Sequence, residues 1–343
     1  MKSESLLLKH FVRPEPRLGW PLPVIATTVI GFALTAPFCE PLARASVRGE
    51  GDGNRVAIGV PSIDAERRPV TCDIPIHRTR AVESWIAFHS SEHGRAPFQL
   101  WLNRMTRYEG PIRRELGRRG MPQDLVYIAL IESGFDPMAV SRARATGLWQ
   151  FMEGTARDHG LLVNRYVDER LDPFRSTTAA IDLLEALHRR FGSWYLAVAA
   201  YNAGPLPVQR ALDAHAGHRP WNEAVFWEIS PHLPVETRHH IPRLIAAAIM
   251  AKDPARFGFR HEPRDPPPFQ TVFTPGATPL ADVAAAAGVP HEDVRALNAH
   301  LLRDVTPPAI YYPVRVPAGT AHLVTAGLYA RASGVRGTTL VAQ

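Results

Sequence analysis

The chain has 343 residues, of which 45% are hydrophobic, and this length allows about two domains with a substantial apolar core. Its formal net charge of +6 suits an acidic polymer or an anionic surface as partner, although a genome-wide preference for arginine would produce the same excess. No basic stretch is interleaved with aromatic side chains, so nucleic acid is excluded as a partner.

Residues 1–45 have the pattern of a signal peptide or an N-terminal anchor. Basic residues precede the apolar run Val24–Phe38, and Ala43–Ala45 offers a small-x-small cleavage site. The run is shorter than the roughly 20 apolar residues of a membrane span. Export to the periplasm or cell envelope is predicted, with any membrane association through the N-terminus. We expect no lipid anchor at Cys39, because small residues do not directly precede it, and cleavage leaves Cys72 without a disulfide partner.

The stretch Gln123–Met152 contains the most unusual residue of the chain, Glu132. The unbroken apolar run Leu125–Ile131 precedes it, and Gly134 and Pro137 stop the helix. Because a helix that is apolar on all sides is buried, desolvation and the negative end of the helix dipole both favour the protonated form of Glu132. A general acid requires that form. The alternative is a glutamate that turns outward into water at the helix end.

Helical patterns continue on both sides of this stretch. Before them, residues 46–80 lack periodicity and predict a flexible tether. Asp172 begins a helix as an N-cap followed by proline, and a further apolar helix is expected after Pro242. No segment of this part alternates with period two. We therefore predict an all-helical orthogonal bundle over residues 81–259.

Residues 260–268 are rich in proline and predict a linker that lets the two flanking parts move separately. Four elements follow in the order strand, helix, helix, strand: Thr271–Phe273, Ala281–Ala287, Glu292–Asn298 and Ile310–Val316. This α+β module, residues 269–320, resembles a degenerate LysM (βααβ) module with Asn298 in the family's Leu-Asn position. We expect it to hold the chain on glycan, or, if its sugar site is lost, only to pack against the bundle. Residues 321–343 are predicted to form a tail.

Three short blocks occur in order along the bundle: Glu132-Ser133, Gly147-Leu148-Trp149-Gln150 and Ala200-Tyr201-Asn202-Ala203-Gly204. They resemble the E-S, G-L-x-Q and A-Y-N-x-G blocks of the lytic transglycosylase (goose-type lysozyme-like) catalytic domain. The resemblance covers roughly residues 82–258. It implies a mainly α, lysozyme-like fold that acts on peptidoglycan glycan strands. No cofactor is expected, and we expect a monomer.

The resemblance implies that a single carboxyl group performs the reaction. Glu132 would protonate the oxygen that links MurNAc to GlcNAc, and would then accept the proton of the MurNAc C6 hydroxyl as this hydroxyl attacks C1. The product would be a 1,6-anhydro-MurNAc end, formed without water. Asp136, which follows the helix, is interpreted as a turn residue that bonds its own backbone.

The resemblance also implies substrate-binding roles for seven residues: Ser141, Gly147, Gln150, Met152, Tyr201, Asn202 and His240. Ser141 and Gln150 would face the sugar, and Gly147 would allow a close backbone approach. Tyr201 would hold Glu132 by its hydroxyl.

The remaining implied roles belong to Asn202, Met152 and His240. Asn202 would order the same corner as Tyr201, and Met152 would line the cleft floor unless it is plain core. His240 stands where the family's Glu-Thr-x-x-Tyr pattern has tyrosine. No metal is expected at His239 and His240, because adjacent helical residues do not share a face.

Two other functions remain open from the sequence. A hydrolase of the same fold would need a second carboxylate facing Glu132, for which Asp136, Asp168 and Glu236 are the candidates. A non-catalytic peptidoglycan-binding protein is the third hypothesis, and the intact Glu132 with its companion blocks argues against it.

Overall fold

The computed structural model describes residues 72–261 and 266–332. The predicted signal at 1–45 with Cys39, the tether up to residue 71, the middle of the linker and the last residues of the tail lie outside these ranges. Within the described ranges, no helix has the length and apolar character that crossing a membrane demands.

The first described part is built from α-helices. These are α1 (Arg80–Ser90), α2 (Glu92–Arg118), α3 (Val126–Ser133), α4 (Glu153–Asp158), α5 (Pro173–Phe191), α6 (Trp194–Ala203), α7 (Pro205–His215), α8 (Glu223–Ile229) and α9 (Val235–Lys252). Short 3-10 helices lie at Gln123–Leu125, Glu169–Leu171, Ser230–His232 and Pro254–Phe257. The predicted mainly α fold is confirmed.

The helix that carries Glu132 lies at the centre of this part. All residues of α3 except Glu132 are buried, and α3 packs against α2 and α9. Gly134 ends the helix in the left-handed conformation, with φ of 60°. A Cβ atom at this position would lie 2.3 Å from the Trp101 ring, so both the turn and the packing require glycine. The helix end therefore has one defined position in the core.

Two helix boundaries show how far local signals reach. Asp172 caps α5 by accepting from the backbone N–H groups of Phe174 and Arg175, as the sequence predicts. By contrast, α9 begins at Val235, and Pro242 lies inside it rather than before it. Proline removes one helical hydrogen bond. The buried apolar face of α9 holds the helix through this position.

The predicted tether ends earlier than residue 80. The side chain of Ile74 is only 5% exposed, and the backbone N–H of Asp73 donates to Asp124 at 2.7 Å. The hydroxyl of Tyr195 donates to the carbonyl of Pro75. Residues 72–79 thus pack on the bundle in an irregular conformation, which has no period for the sequence to reveal.

The second described part is the small α+β module. Its elements are β1 (Phe269–Thr274), α10 (Leu280–Ala287), α11 (His291–Leu297), β2 (Tyr312–Pro317) and α12 (Ala321–Ala332). The two strands are antiparallel, with Val272 opposite Val314. The predicted βααβ order is confirmed. The predicted tail is wrong for residues 321–332, which form α12, because Val324 is fully buried in the module core.

The module packs directly on the bundle. Val167, from the segment before α5, is fully buried in the apolar core of the module. The Asp168 N–H donates to the His300 carbonyl at 2.9 Å, and the Leu302 N–H donates to the Tyr166 carbonyl at 2.8 Å. The expectation that the two parts move separately is inconsistent with these contacts. The linker composition carried no information about this interface.

Candidate active site

Glu132 lies in the last turn of α3 with 16% of its side chain exposed. The carboxyl group is thus neither turned outward into water nor sealed in the core. Its Oε1 atom lies 2.8 Å from Nε2 of His240, which is buried in α9. Nδ1 of His240 has no hydrogen-bond partner within the described residues. The hydrogen-bond partner of the Glu132 side chain is therefore a histidine 108 positions away in the chain.

A cation at the end of α3 was not identified from the sequence. Arg243 donates from Nη2 to the carbonyl of Ile131 at 2.9 Å, and its guanidinium lies over the ring of Trp85. A positive charge at a helix C-terminus opposes the effect of the helix dipole on Glu132. His240 and Arg243 are three residues apart on one helix and therefore lie on the same face. This spacing is the sequence signal that could have placed Arg243 beside His240.

Ser133, the last residue of α3, attaches the Gly147–Gln150 block to this helix. The hydroxyl of Ser133 donates to the carbonyl of Leu148 at 2.8 Å and accepts from the N–H of Asp136 at 3.2 Å. Trp149, the next residue, is fully buried and donates from Nε1 to Thr177. The loop of residues 139–151 is therefore fixed to the end of the Glu132 helix. It is called here the substrate loop, because the resemblance assigns sugar-binding residues to it.

Two residues that the resemblance assigns to sugar binding make contacts inside the substrate loop. The Oγ atom of Ser141, a buried residue, accepts from the N–H of Ala145 at 2.9 Å and closes a turn. The amide nitrogen of Gln150 donates to the carbonyls of Gly147 at 3.0 Å and Ala139 at 3.3 Å. Both side chains shape the loop. Met152, just after it, is 46% exposed, so the alternative that it is plain core is wrong.

Gly147 lies in close contact with the backbone of Arg170. The φ angle of Gly147 is 84°, and an added Cβ atom would lie 1.8 Å from the Arg170 carbonyl oxygen. Only glycine fits such a position. The backbone of Gly147 therefore packs against the segment before α5 and does not face open solvent.

Tyr201 and Asn202 connect α6 to its neighbours. The Tyr201 hydroxyl donates to the Trp149 carbonyl at 2.7 Å, whereas the resemblance implied a bond to Glu132. Burial raises the pKa of Tyr201 well above its ordinary value, and the charge of Glu132 raises it further. Asn202 accepts from Thr237 at 2.8 Å and donates to Glu236 at 3.4 Å, and so ties α6 to α9.

The three candidate second carboxylates all have other partners. Asp136 accepts from the N–H of Met138 at 3.0 Å, as predicted for a turn residue, and pairs with Arg104. Asp168 pairs with Arg170 at 2.7 Å. Glu236 accepts from Asn202, as described above. None of these contacts involves Glu132.

Comparison with known proteins confirms the resemblance that the three blocks indicate. Residues 111–223 match the family described as "Transglycosylase SLT domain". Residues 268–330 match the family described as "Lytic transglycosylase MltD, LysM-like domain". The two matches fall on the bundle and on the module, in the order in which the structure has them.

Two individual relatives match different lengths of the chain. Membrane-bound lytic murein transglycosylase D from Escherichia coli (strain K12) is 29% identical over 261 residues, which are 74% of this chain and 53% of that relative. A "Putative tributyltin chloride resistance protein" of Alteromonas sp. (strain M-1) is 40% identical over 100 residues, 29% of this chain and 48% of that relative. This chain thus spans about half the length of these relatives.

One solved structure shows a weaker likeness. An inactive mutant of the lytic transglycosylase Slt from Pseudomonas aeruginosa shares 26% sequence identity with a TM-score of 0.34. That match covers 44% of this chain and 24% of the solved chain.

Proposed function

We propose that this chain is a lytic transglycosylase that cleaves the MurNAc-β-1,4-GlcNAc bond of peptidoglycan without adding water. The observation that carries the proposal is the isolation of Glu132. Glu132 is a partly exposed carboxyl group at the end of a buried helix, and it is hydrogen-bonded to a histidine. The other candidate carboxylates are bonded to other residues. The family matches of the bundle and the module support the same substrate class.

In the proposed reaction, Glu132 acts first as acid and then as base. Its proton moves to the glycosidic oxygen as the bond from MurNAc C1 to this oxygen breaks through an oxocarbenium-like state. The MurNAc C6 hydroxyl then bonds to C1, and its proton passes to the Glu132 carboxylate. The acid is thereby restored, and the new chain end is a 1,6-anhydro sugar.

His240 holds the carboxyl group for this cycle. With Oε1 engaged by the histidine at 2.8 Å, the other oxygen of Glu132 is left to exchange protons with the glycan. The substrate loop supplies the neighbouring wall, positioned by Ser141, Gly147, Gln150 and Tyr201 through the contacts described above. Met152, which is exposed beside the loop, offers an apolar surface to a sugar ring.

A lysozyme-type hydrolase is the competing function on the same bundle. Hydrolysis with two carboxylates places the second about 5–9.5 Å from the first, where it acts as nucleophile or activates water. Asp136 is held in its turn and by Arg104, and Asp168 is held by Arg170. Glu236 is bonded to Asn202. These engagements favour the reaction that needs one carboxyl group.

Mass spectrometry of digested peptidoglycan tests the proposal. Muropeptides released by the purified chain should end in 1,6-anhydro-MurNAc and be about 18 mass units lighter than hydrolytic products, because no water is added. Reducing-end muropeptides as the main product would establish the hydrolase instead. A Glu132→Gln sample digested in parallel shows whether any product comes from a contaminating enzyme.

We propose that the chain works at the cell envelope, delivered by its first 45 residues. The name of the Escherichia coli relative describes a membrane-bound protein, and the N-terminal sequence has an export pattern. N-terminal sequencing of protein recovered from the envelope should read from a residue just after Ala45. A sequence that begins at Met1 would indicate a retained anchor.

A further inference from the structure

The module is joined to the bundle by a buried ion pair. Arg315, on β2, donates from Nη2 to both carboxylate oxygens of Asp172 at 2.7 and 2.6 Å. Asp172 is 1% exposed and also caps α5. The Arg315 guanidinium lies over the rings of Phe174 and Phe269, at 4.8 and 5.3 Å from their centroids. A charge pair enclosed in this way fixes the geometry of both partners.

A second buried pair lies beside the first. The hydroxyl of Tyr312 donates to Oε1 of Glu169 at 2.7 Å, and Oε2 of Glu169 accepts from the N–H of Leu162 at 2.8 Å. Asn298, the residue at the LysM-like Leu-Asn position, accepts from the Arg315 N–H at 2.9 Å and donates to the Arg315 carbonyl at 2.7 Å. The module therefore holds β2 rigidly against the segment that leads into α5.

Arg170, between Glu169 and Asp172, carries these constraints to the substrate loop. It is 7% exposed, and its guanidinium is held by both oxygens of Asp168 at 2.9 and 2.7 Å. Its Nη1 donates to the carbonyls of Arg144 at 3.1 Å and Phe151 at 3.2 Å. These carbonyls lie on either side of the G-L-W-Q block.

We propose that the C-terminal module positions the substrate loop for cleavage, with Arg315 and Tyr312 as positioning residues that act through the 168–172 segment and Arg170. This inference rests on the proposed function, because it assigns the loop a role at the Glu132 site. It differs from a glycan-binding role for the module, since it predicts an effect on soluble substrate that the module need not touch. It also differs from a purely structural cover, because the effect reaches the substrate loop.

The test uses the full-length chain with two variants, Arg315→Ala and Tyr312→Phe. Hydrogen exchange is followed at the amides of Thr146, Gly147 and Phe151, whose N–H groups bond within the substrate loop. The values of kcat and KM on soluble glycan fragments are measured well below the unfolding temperature. Arg315→Ala should raise exchange at these amides and lower kcat about tenfold, and Tyr312→Phe should do both to a smaller extent.

Arg303→Ala is the matched control. Its Nε donates to the Arg165 carbonyl at 3.0 Å on the exposed edge of the same interface, away from the 168–172 segment. It should leave loop exchange and kcat unchanged. If Arg315→Ala fails to fold, Tyr312→Phe decides, because it removes one hydroxyl and retains the ion pair.

Two outcomes would overturn the proposal. Exchange and kcat that stay at wild-type values in folded Arg315→Ala or Tyr312→Phe would make the module a cover only. Effects of the same size in Arg303→Ala would mean that any disturbance of the interface loosens the loop. Failure of the proposed function looks different, since Glu132→Gln would then retain activity while the exchange measurement still reports on the coupling.

Discussion

Glu132 and Asp172 are both carboxylates at helix ends in the same bundle, but their surroundings differ. Asp172 is 1% exposed and accepts from two backbone N–H groups and from the guanidinium of Arg315. Glu132 is 16% exposed, and its side chain is hydrogen-bonded to His240. Asp172 lies at the N-terminus of α5, where the helix dipole favours its charge, whereas Glu132 lies at the C-terminus of α3, where the dipole opposes it.

Under the proposed function, the difference separates a structural carboxylate from the carboxyl group that reacts. Burial raises the pKa of Asp172, but the charges of Arg315 and His300 and the hydrogen bonds outweigh this and hold it below the ordinary value. Asp172 therefore stays ionised and keeps its hydrogen-bond positions filled. In the proposed function, the second oxygen of Glu132 exchanges protons with the glycan. The predictions below test this contrast, beginning with the largest expected effect.

Replacing the reactive carboxyl should remove activity without affecting the fold. We expect Glu132→Gln to lower the rate of wall lysis about 10²- to 10⁴-fold, the usual contribution of general acid–base catalysis. The melting temperature should change little, because glutamine keeps the size and can still bond His240. Turbidity loss of sacculi and a thermal melt measure the two effects. Glu236→Gln, the matched carboxylate variant, should keep most of the activity, and lysis by folded Glu132→Gln would remove this residue from the mechanism.

Replacing the structural carboxyl group of Asp172 should instead lower the stability of the fold. We expect Asp172→Asn to lower the free energy of unfolding by about 3 kcal/mol, because the buried guanidinium of Arg315 loses its counter-charge. Chemical denaturation measures the change. Asp136→Asn, in a more exposed pair with Arg104, should cost about 1 kcal/mol or less. Equal losses in the two variants would show that the buried pair contributes no more than the exposed one.

The interface should also weaken in acid. Burial lowers the pKa of His300 to about 4, although Asp172 raises it in part. Between about 6.5 and about 4 the unfolded chain binds a proton that the folded chain does not, so stability falls as the pH is lowered through this window. The loss from His300 should reach about 2 kcal/mol on going from about pH 7 to about pH 5.

The His300→Gln variant isolates this contribution. Thermal melts across the window should show a shallower loss of stability for the variant than for the parent chain. The slope should not vanish, because burial also lowers the pKa of His89, to about 3. Identical slopes in the two proteins would mean that His300 is protonated in the folded state.

Replacing His240, the hydrogen-bond partner of Glu132, should have the smallest effect of these substitutions. His240→Phe removes the 2.8 Å bond but keeps a ring in the buried site, and we expect kcat to fall about tenfold, the value of one hydrogen bond to a charged group. His240→Tyr, which restores the family's residue, should retain more activity because its hydroxyl can reach the same carboxyl. If His240→Phe is as active as the parent chain, the bond does not position the acid.

Much of the molecule follows from local sequence signals. The apolar run before Glu132, the Gly134 stop, the Asp172-Pro173 start and the two short strand-like runs near the C-terminus are all local signals. Each involves residues that lie within one turn or one strand of each other. Backbone preference and periodicity act over that range. The all-helical bundle and the βααβ module could therefore be predicted, and the block order pointed to Glu132.

Only the tertiary structure decided what surrounds Glu132 and where the module lies. The bond from His240 to Glu132 joins residues 108 positions apart, and the pairs of Tyr312 with Glu169 and Arg315 with Asp172 each span 143 positions. Local propensity carries no information about such pairs, because they form when packing excludes water and polar groups must find partners inside. Residues 72–79 and α12 also lack a clear local pattern. They are held in place by burial of their apolar side chains rather than by a periodic sequence.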